Sequence, residues 1–323
     1  MIFESLPTTP RSEELIDKAF SRAARAGRAK PNLEAQQSML TIAVNITSDN
    51  LENVVTAWPD FDYIDPFYYE LADAIVDVDE LRQSLSEVTW ASRQIEELGR
   101  EYQPKLRKTD AEIARKHRKQ AFARIADIMN EIEDDLRAVG DARDALKNLP
   151  DIRPDEAAIV IAGYPNVGKS SFVNHVTRAS NEIAEYPFTT RGVQIGHVER
   201  DHIRYQLIDT PGLLDRPEAE RNDIEKQAVG AIEHLADTIL FFVDASGDCG
   251  YPLDVQLELR NSVVDRFADR DIPVLTICNK SDRSTDVEAD AYMSVTKNEG
   301  VEEVLQLAIE AVGFEPDLPS RGE

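Results

Sequence analysis

The residues Gly163-Tyr164-Pro165-Asn166-Val167-Gly168-Lys169-Ser170 could hold a polyphosphate. Two glycines let the backbone bend until successive N–H groups face an anion. Lys169 supplies a cation for the β- and γ-phosphates, and Ser170 a hydroxyl for Mg²⁺. The flanks agree with that chemistry. Ala157–Ala162 is a short apolar run that predicts a buried strand, and Ser171–Thr177 predicts a helix. A helix starting here adds unpaired N–H groups and the positive end of its dipole, with Gly163, Asn166, Val167, Gly168, Lys169, Ser170 and Ser171 around the phosphates. Such a loop binds a nucleoside triphosphate without saying which one.

Two further segments narrow the choice. Ile208-Asp209-Thr210-Pro211-Gly212 closes an apolar run with Asp-x-x-Gly. A carboxylate at a strand end beside phosphates can hold Mg²⁺ through water, and Gly212 can bring its N–H to the γ-phosphate. That contact is lost when the phosphate leaves, so 213–223 is a candidate switch. Asn279-Lys280-Ser281-Asp282 follows another apolar run. Guanine offers two adjacent donors, N1–H and the exocyclic amine, and the single carboxylate of Asp282 can accept both. Adenine lacks that pair, and a site built on hydrogen bonds can reject it by ~10⁴-fold or more. Asn279 would support the base, with the Lys280 stem over its ring.

Apolar runs at Ala157–Ala162, Val193–Val198, Ile203–Ile208, Thr238–Val243, Val274–Cys278 and Ala291–Met293 alternate with helical stretches. They predict an α/β domain over 151–314, with a doubly wound, mostly parallel, six-stranded sheet. Pro150 and Pro154 mark its start, and 315–323 reads as a short tail. Residues 1–150 predict an all-α bundle. Helices are expected from Ser12 to Ala29 and from Asn32 to Trp58. Leu71, Ile75, Val78, Leu81, Leu85, Val88 and Ile95 predict one long amphipathic helix, and a second is expected over Asp110–Leu149.

Among 323 residues the net charge is −25, with 25 arginines to 11 lysines, and acids spread through both halves. This reads as a surface kept hydrated in a salt-loaded cytoplasm rather than as a substrate signal. Cys249 and Cys278 have no metal-pair spacing and predict a reducing compartment. No apolar run is long enough to span a membrane and no leader is evident, so a cytoplasmic protein is expected. Two basic islands stand out against the acidity: Arg22, Arg25, Arg28 and Lys30, then Arg107, Lys108, Arg115, Lys116, His117, Arg118, Lys119 and Arg124. They are candidates for RNA phosphates, although Arg115 could instead pair with Asp110 or Glu112. The aromatic residues Phe61, Tyr63, Phe67, Tyr68, Tyr69 and Trp90 could stack bases but are expected to pack in the core.

Gly163–Ser170, Asp209–Gly212 and Asn279–Asp282 resemble the first, third and fourth motifs of the Ras-like GTPases. Tyr186-Pro187-Phe188-Thr189-Thr190 resembles the second, in its Obg-like form. The resemblance makes Thr190 the threonine that closes on Mg²⁺, beside Ser170 and Asp209. Ser294-Val295 resembles the fifth motif, with valine where alanine is usual. Together with Ser84–Ile95 and the helical front, the chain looks like a Nog-type nucleolar GTP-binding protein, in a haloarchaeal version by its charge. That implies GTP/GDP and Mg²⁺ as ligands and work in assembly of the large ribosomal subunit, with rRNA met by the helical domain. Eukaryotic members carry a long C-terminal extension whose contacts are not carried over. A signalling or stress GTPase acting through a protein effector is the alternative. Leu213 stands where Ras has its water-positioning glutamine, so hydrolysis is expected to be slow alone. Asn166 resembles the loop asparagine that holds potassium in cation-activated GTPases, and Lys169, Thr190, Gly212 and Asn166 form the expected catalytic set.

Overall fold

The structure is a computed structural model that describes residues 2–147, 152–177, 182–184, 193–210, 214 and 223–313. The chain forms two compact units: 2–64 with 75–148, and 65–74 with 149 onward.

The first unit is helical. It contains α1 (Ser12–Arg28), α2 (Asn32–Thr56), α4 (Val78–Arg107), α5 (Ala111–Glu131) and α6 (Glu133–Leu146), while α3 (Pro66–Val76) lies almost wholly in the second unit. Leu15, Leu40, Leu51, Val88, Ile95, Leu106, Ile125 and Met129 form one buried cluster. They recur at helical spacing, so each helix turns one apolar stripe inward. Gly99 lets α2 and α4 approach closely, since a Cβ there would lie 2.9 Å from a Val44 methyl.

Both expected long helices are in fact pairs. The first breaks at Asp77, which has φ 50° and ψ 94° and whose carboxylate accepts the Glu80 N–H at 3.1 Å as the cap of α4. The apolar spacing from Ile75 to Val78 runs straight across this break and hid it. The capping pattern Asp77-x-x-Glu80 was the signal that could have shown it. The second breaks at Ile132, with φ −97° and ψ 14°. Ile132 still donates to Ile128 and accepts from Leu136, so the side-chain period passes through unchanged. Phe61, Phe67 and Tyr68 are buried as expected, but Tyr63 is 88% and Trp90 38% exposed. Burial follows the inward stripe rather than aromatic character.

Among the described residues the second unit holds a seven-stranded sheet in the order β2-β3-β4-β1-β5-β6-β7. Its strands are β1 (Ala157–Ala162), β2 (Glu182–Ala184), β3 (Val193–Arg200), β4 (Ile203–Asp209), β5 (Thr238–Asp244), β6 (Val274–Asn279) and β7 (Ala291–Tyr292). The six expected strands are present. The seventh, β2, is a three-residue edge strand, too short to carry a readable alternation. Strands β4, β1, β5, β6 and β7 are parallel, and β3 and β2 add antiparallel at one edge. Every residue of β1 and β5 is buried, which accounts for their unbroken apolar runs. Besides α3, the α-helices described in this unit are α7 (Lys169–Thr177), α8 (Asp223–Leu235), α9 (Leu253–Phe267) and α10 (Val301–Val312). Central β1 pairs with β4 on one side and β5 on the other. Loops leaving the carboxyl ends of these strands therefore converge, as ligand sites in doubly wound sheets require.

Candidate nucleotide site

The phosphate loop leaves β1 and delivers the chain into α7 at Lys169. Gly163 has φ 127°, and a Cβ there would lie 2.4 Å from the Phe242 carbonyl oxygen of β5. Gly168 has φ 105°, and a Cβ there would meet Asn279 Nδ2 at 2.1 Å. Both glycines are thus required twice, by backbone sign and by close approach. Asn166 is exposed and left-handed at φ 63°. Lys169 is 6% exposed, and its ammonium donates to the carbonyls of Gly163 at 2.6 Å and Tyr164 at 2.9 Å. Val167 is buried under the loop, and Ser171 is exposed in the first turn of α7.

Asp209 ends β4 one strand away, level with Ile161 of β1, and is fully buried. Ser170 Oγ donates to Asp209 Oδ2. A hydroxyl and a carboxylate in contact at a helix N-terminus form an all-oxygen donor pair, which suits a hard cation such as Mg²⁺. Thr190 and Gly212, the other two residues expected around the γ-phosphate, lie outside the described residues, as do Leu213, the Tyr186–Thr190 segment and 315–323.

The base loop follows β6. Asn279 Nδ2 donates to the Val167 carbonyl at 2.8 Å, and Asn279 Oδ1 accepts the Val295 N–H at 3.3 Å. One amide therefore ties together the phosphate loop, the base loop and the segment after β7. Buried Ser294 donates through Oγ to Asp282 Oδ1 at 2.7 Å, which fixes the exposed carboxylate that would read guanine. Ser294 and Glu299 bond each other through both backbone groups, and left-handed Gly300 starts α10. Lys280 is left-handed at φ 58° and half-buried. Its ammonium donates to Asp244 Oδ2 at 2.6 Å.

Asp244 escaped the sequence reading. It ends β5, level with Asn279 of β6, and is fully buried. A carboxylate closing an apolar strand was the same signal that drew attention to Asp209. Burial pushes its carboxyl up, but bonds from Lys280 and Ser246 prevail and leave it below the ordinary value.

Arg22, Arg25, Arg28, Arg107, Lys108, Arg115, Lys116 and Lys119 are exposed, and none forms an ion pair among the described residues. The alternative pairing of Arg115 with Asp110 or Glu112 is not formed among the described residues; Asp110 caps α5, its Oδ1 accepting the N–H groups of Glu112 and Ile113 at 3.0 and 2.9 Å. Lys30 pairs with Glu34 at 3.3 Å and Arg124 with Glu101 at 3.1 Å. Arg118 donates to Gln36 at 2.9 Å and covers the Phe122 ring. Both cysteines are buried and free, and no described helix is long and apolar enough to cross a membrane.

Fold and site together define a P-loop GTPase domain that follows a helical domain. Residues 3–153 match the family model described as NOG1 N-terminal helical domain, and residues 158–280 match that described as 50S ribosome-binding GTPase. The chain belongs to the Nog1 family of GTP-binding proteins. An uncharacterized protein of Methanocaldococcus jannaschii is 37% identical over 87% of this chain and 81% of its own length. Nucleolar GTP-binding protein 1 of Arabidopsis thaliana is 34% identical over 87% of this chain and 43% of its own length. The crystal structure of a nucleolar GTP-binding protein 1 from Plasmodium falciparum is 32% identical, covering 51% of this chain and 90% of that one with a TM-score of 0.45. The chain spans about half the length of the nucleolar relatives it matches, 45% in Eremothecium gossypii.

Proposed function

We propose that this chain is a Mg²⁺-dependent GTPase switch that acts in assembly of the large ribosomal subunit, in the cytoplasm, with its helical unit against rRNA. The observation that carries the nucleotide half is the Asn279 amide, which bonds the phosphate loop at Val167 and the base-side segment at Val295. A guanine held by Asp282 would thereby sit at a fixed distance from phosphates held by Gly163–Ser171. Lys169 would turn from the two loop carbonyls to the β- and γ-phosphates. Ser170, Asp209 and Thr190 would hold Mg²⁺, whose charge offsets that of the phosphates. Gly212 would sense the γ-phosphate. Leu213 cannot orient water, so turnover is slow alone. Asn166 is exposed in the loop and would hold a potassium ion, whose charge would offset that developing on the phosphates.

The RNA half is supported by eight exposed cations that form no ion pair among the described residues, in a chain of net charge −25. Counterion release from RNA phosphates rewards cations kept free in this way. The test is purification from the host with GTP or GDP present, followed by sedimentation. Co-migration with large-subunit particles that depends on the nucleotide supports the reading. Migration with a protein effector alone would favour a signalling GTPase instead.

A further inference from the structure

The Asp244 carboxylate gathers four donors. Oδ1 accepts the Ser246 N–H at 2.9 Å and its hydroxyl at 2.5 Å. Oδ2 accepts the Cys249 N–H at 2.9 Å and the Lys280 ammonium at 2.6 Å. The backbone of Asp244 is fixed as well. Its N–H donates to Gln256 Oε1 at 2.8 Å, and Gln256 Nε2 returns bonds to the carbonyls of Asp244 at 3.1 Å and Tyr251 at 2.8 Å. A fully buried carboxylate so enclosed cannot itself reach a nucleotide. The partner that belongs to the base loop is Lys280, 21% exposed along its side chain.

A lysine stem is a poor shelf for a base unless its end is tied down, because free rotation must be given up on binding. Left-handed backbone at Lys280 sets the direction in which that stem leaves the chain. The ion pair with Asp244 sets where it ends. Stem and base would then meet without reorganisation. The loop between Asp244 and α9 has a second anchor: Tyr251 stacks on Tyr164 of the phosphate loop, with ring centroids 4.3 Å apart. The carboxylate that anchors Lys280 is thereby held in register with the phosphate loop.

We propose that Asp244 is a positioning residue for guanine, acting on the nucleotide through Lys280 by anchoring its ammonium so that the stem is preset as the shelf for the base. This rests on the reading of the site as one for guanine nucleotides. The alternative is that Asp244 only braces the loop through Ser246 and Cys249.

A double-mutant cycle separates the two. GDP affinity is measured by calorimetry with Mg²⁺ for the wild type, Asp244→Asn, Lys280→Met and the double variant, and folding is checked by thermal unfolding. Methionine keeps an unbranched stem and removes the ammonium. Each single change is expected to weaken GDP by about 10-fold, and the double variant to be no weaker than the worse single one. Losses that multiply, or an Asp244→Asn variant with wild-type affinity, would overturn the proposal. Should Asp244→Asn fail to fold, the cycle is run with Asp244→Glu, which keeps the charge and shifts it by one methylene. A wild-type chain that binds no GDP would contradict the underlying reading of the site, a result distinct from losses that multiply.

Discussion

At the nucleotide site, side chains are held by other parts of the protein. Lys169 rests on two carbonyls, Ser170 on Asp209, Asp282 on Ser294, and Asn279 bridges two loops. On the helical unit one set of basic side chains stands apart. Arg22, Arg25, Arg28, Arg115, Lys116 and Lys119 form no ion pair among the described residues. The first arrangement selects one ligand by fixed hydrogen-bonding geometry. The second offers charge to any polyanion of suitable shape and lets the ligand order it. Mutations at the nucleotide site should therefore act at single residues and depend little on salt. Those on the helical unit should be cumulative and strongly salt-dependent.

The largest expected effect is at Lys169. Lys169→Ala should weaken GDP by about 100-fold or more in a calorimetric titration, while heat unfolding of the helical unit is unchanged. Next is Gly168→Ala. Its Cβ would fall 2.1 Å from Asn279 Nδ2 on a backbone at φ 105°, so both ends of the site are disturbed together. Affinity should drop by about 10-fold or more, with a loss of about 1–3 kcal/mol in denaturant unfolding. A smaller effect on GDP than on stability would mean that the two loops are less coupled than their geometry indicates.

On the other side of the comparison, Arg115, Lys116 and Lys119 changed together to glutamate should leave GDP affinity within about two-fold. The same variant should flatten the salt dependence of rRNA binding by about two units of log–log slope, read from filter binding across a KCl series. One residue carrying the whole effect would contradict a cumulative, diffuse cationic surface. Potassium should raise GTP turnover several-fold over sodium at equal ionic strength, and Asn166→Ala should remove the difference. The smallest effect is structural. Asp77→Ala removes the cap of α4 and should cost about 1 kcal/mol in thermal unfolding, with no change in GDP affinity.

The same contrast decides what could be read without a structure. Gly163, Gly168, Lys169 and Asp209 are legible because backbone sign, close approach and strand-end carboxylates leave few residue choices. Strands β1 and β5 were legible because burial on both faces leaves them almost wholly apolar. Asp244 was not, although it closes β5 as Asp209 closes β4. Its task is to hold Lys280, a contact made across two strands and not within one segment. The break at Asp77 was masked because side-chain period survives a one-residue interruption. The exposure of Trp90 is not legible because apolar bulk does not reveal which stripe of a helix faces inward, and Tyr63 is exposed in the turn between α2 and α3. Whether a basic residue is free or paired was likewise beyond the sequence. That Arg115 forms no pair with Asp110 or Glu112 among the described residues appears only in three dimensions.

The central claim is that Asp282, fixed by Ser294, reads guanine at one end of a site whose other end holds phosphates. Competitive titration of GDP and ADP with Mg²⁺ tests it most directly. The account predicts that GDP binds ~10⁴-fold more tightly than ADP, and that Asp282→Ala removes most of that preference while phosphate-end contacts keep residual binding of both. Comparable affinities for GDP and ADP in the wild-type chain would contradict it.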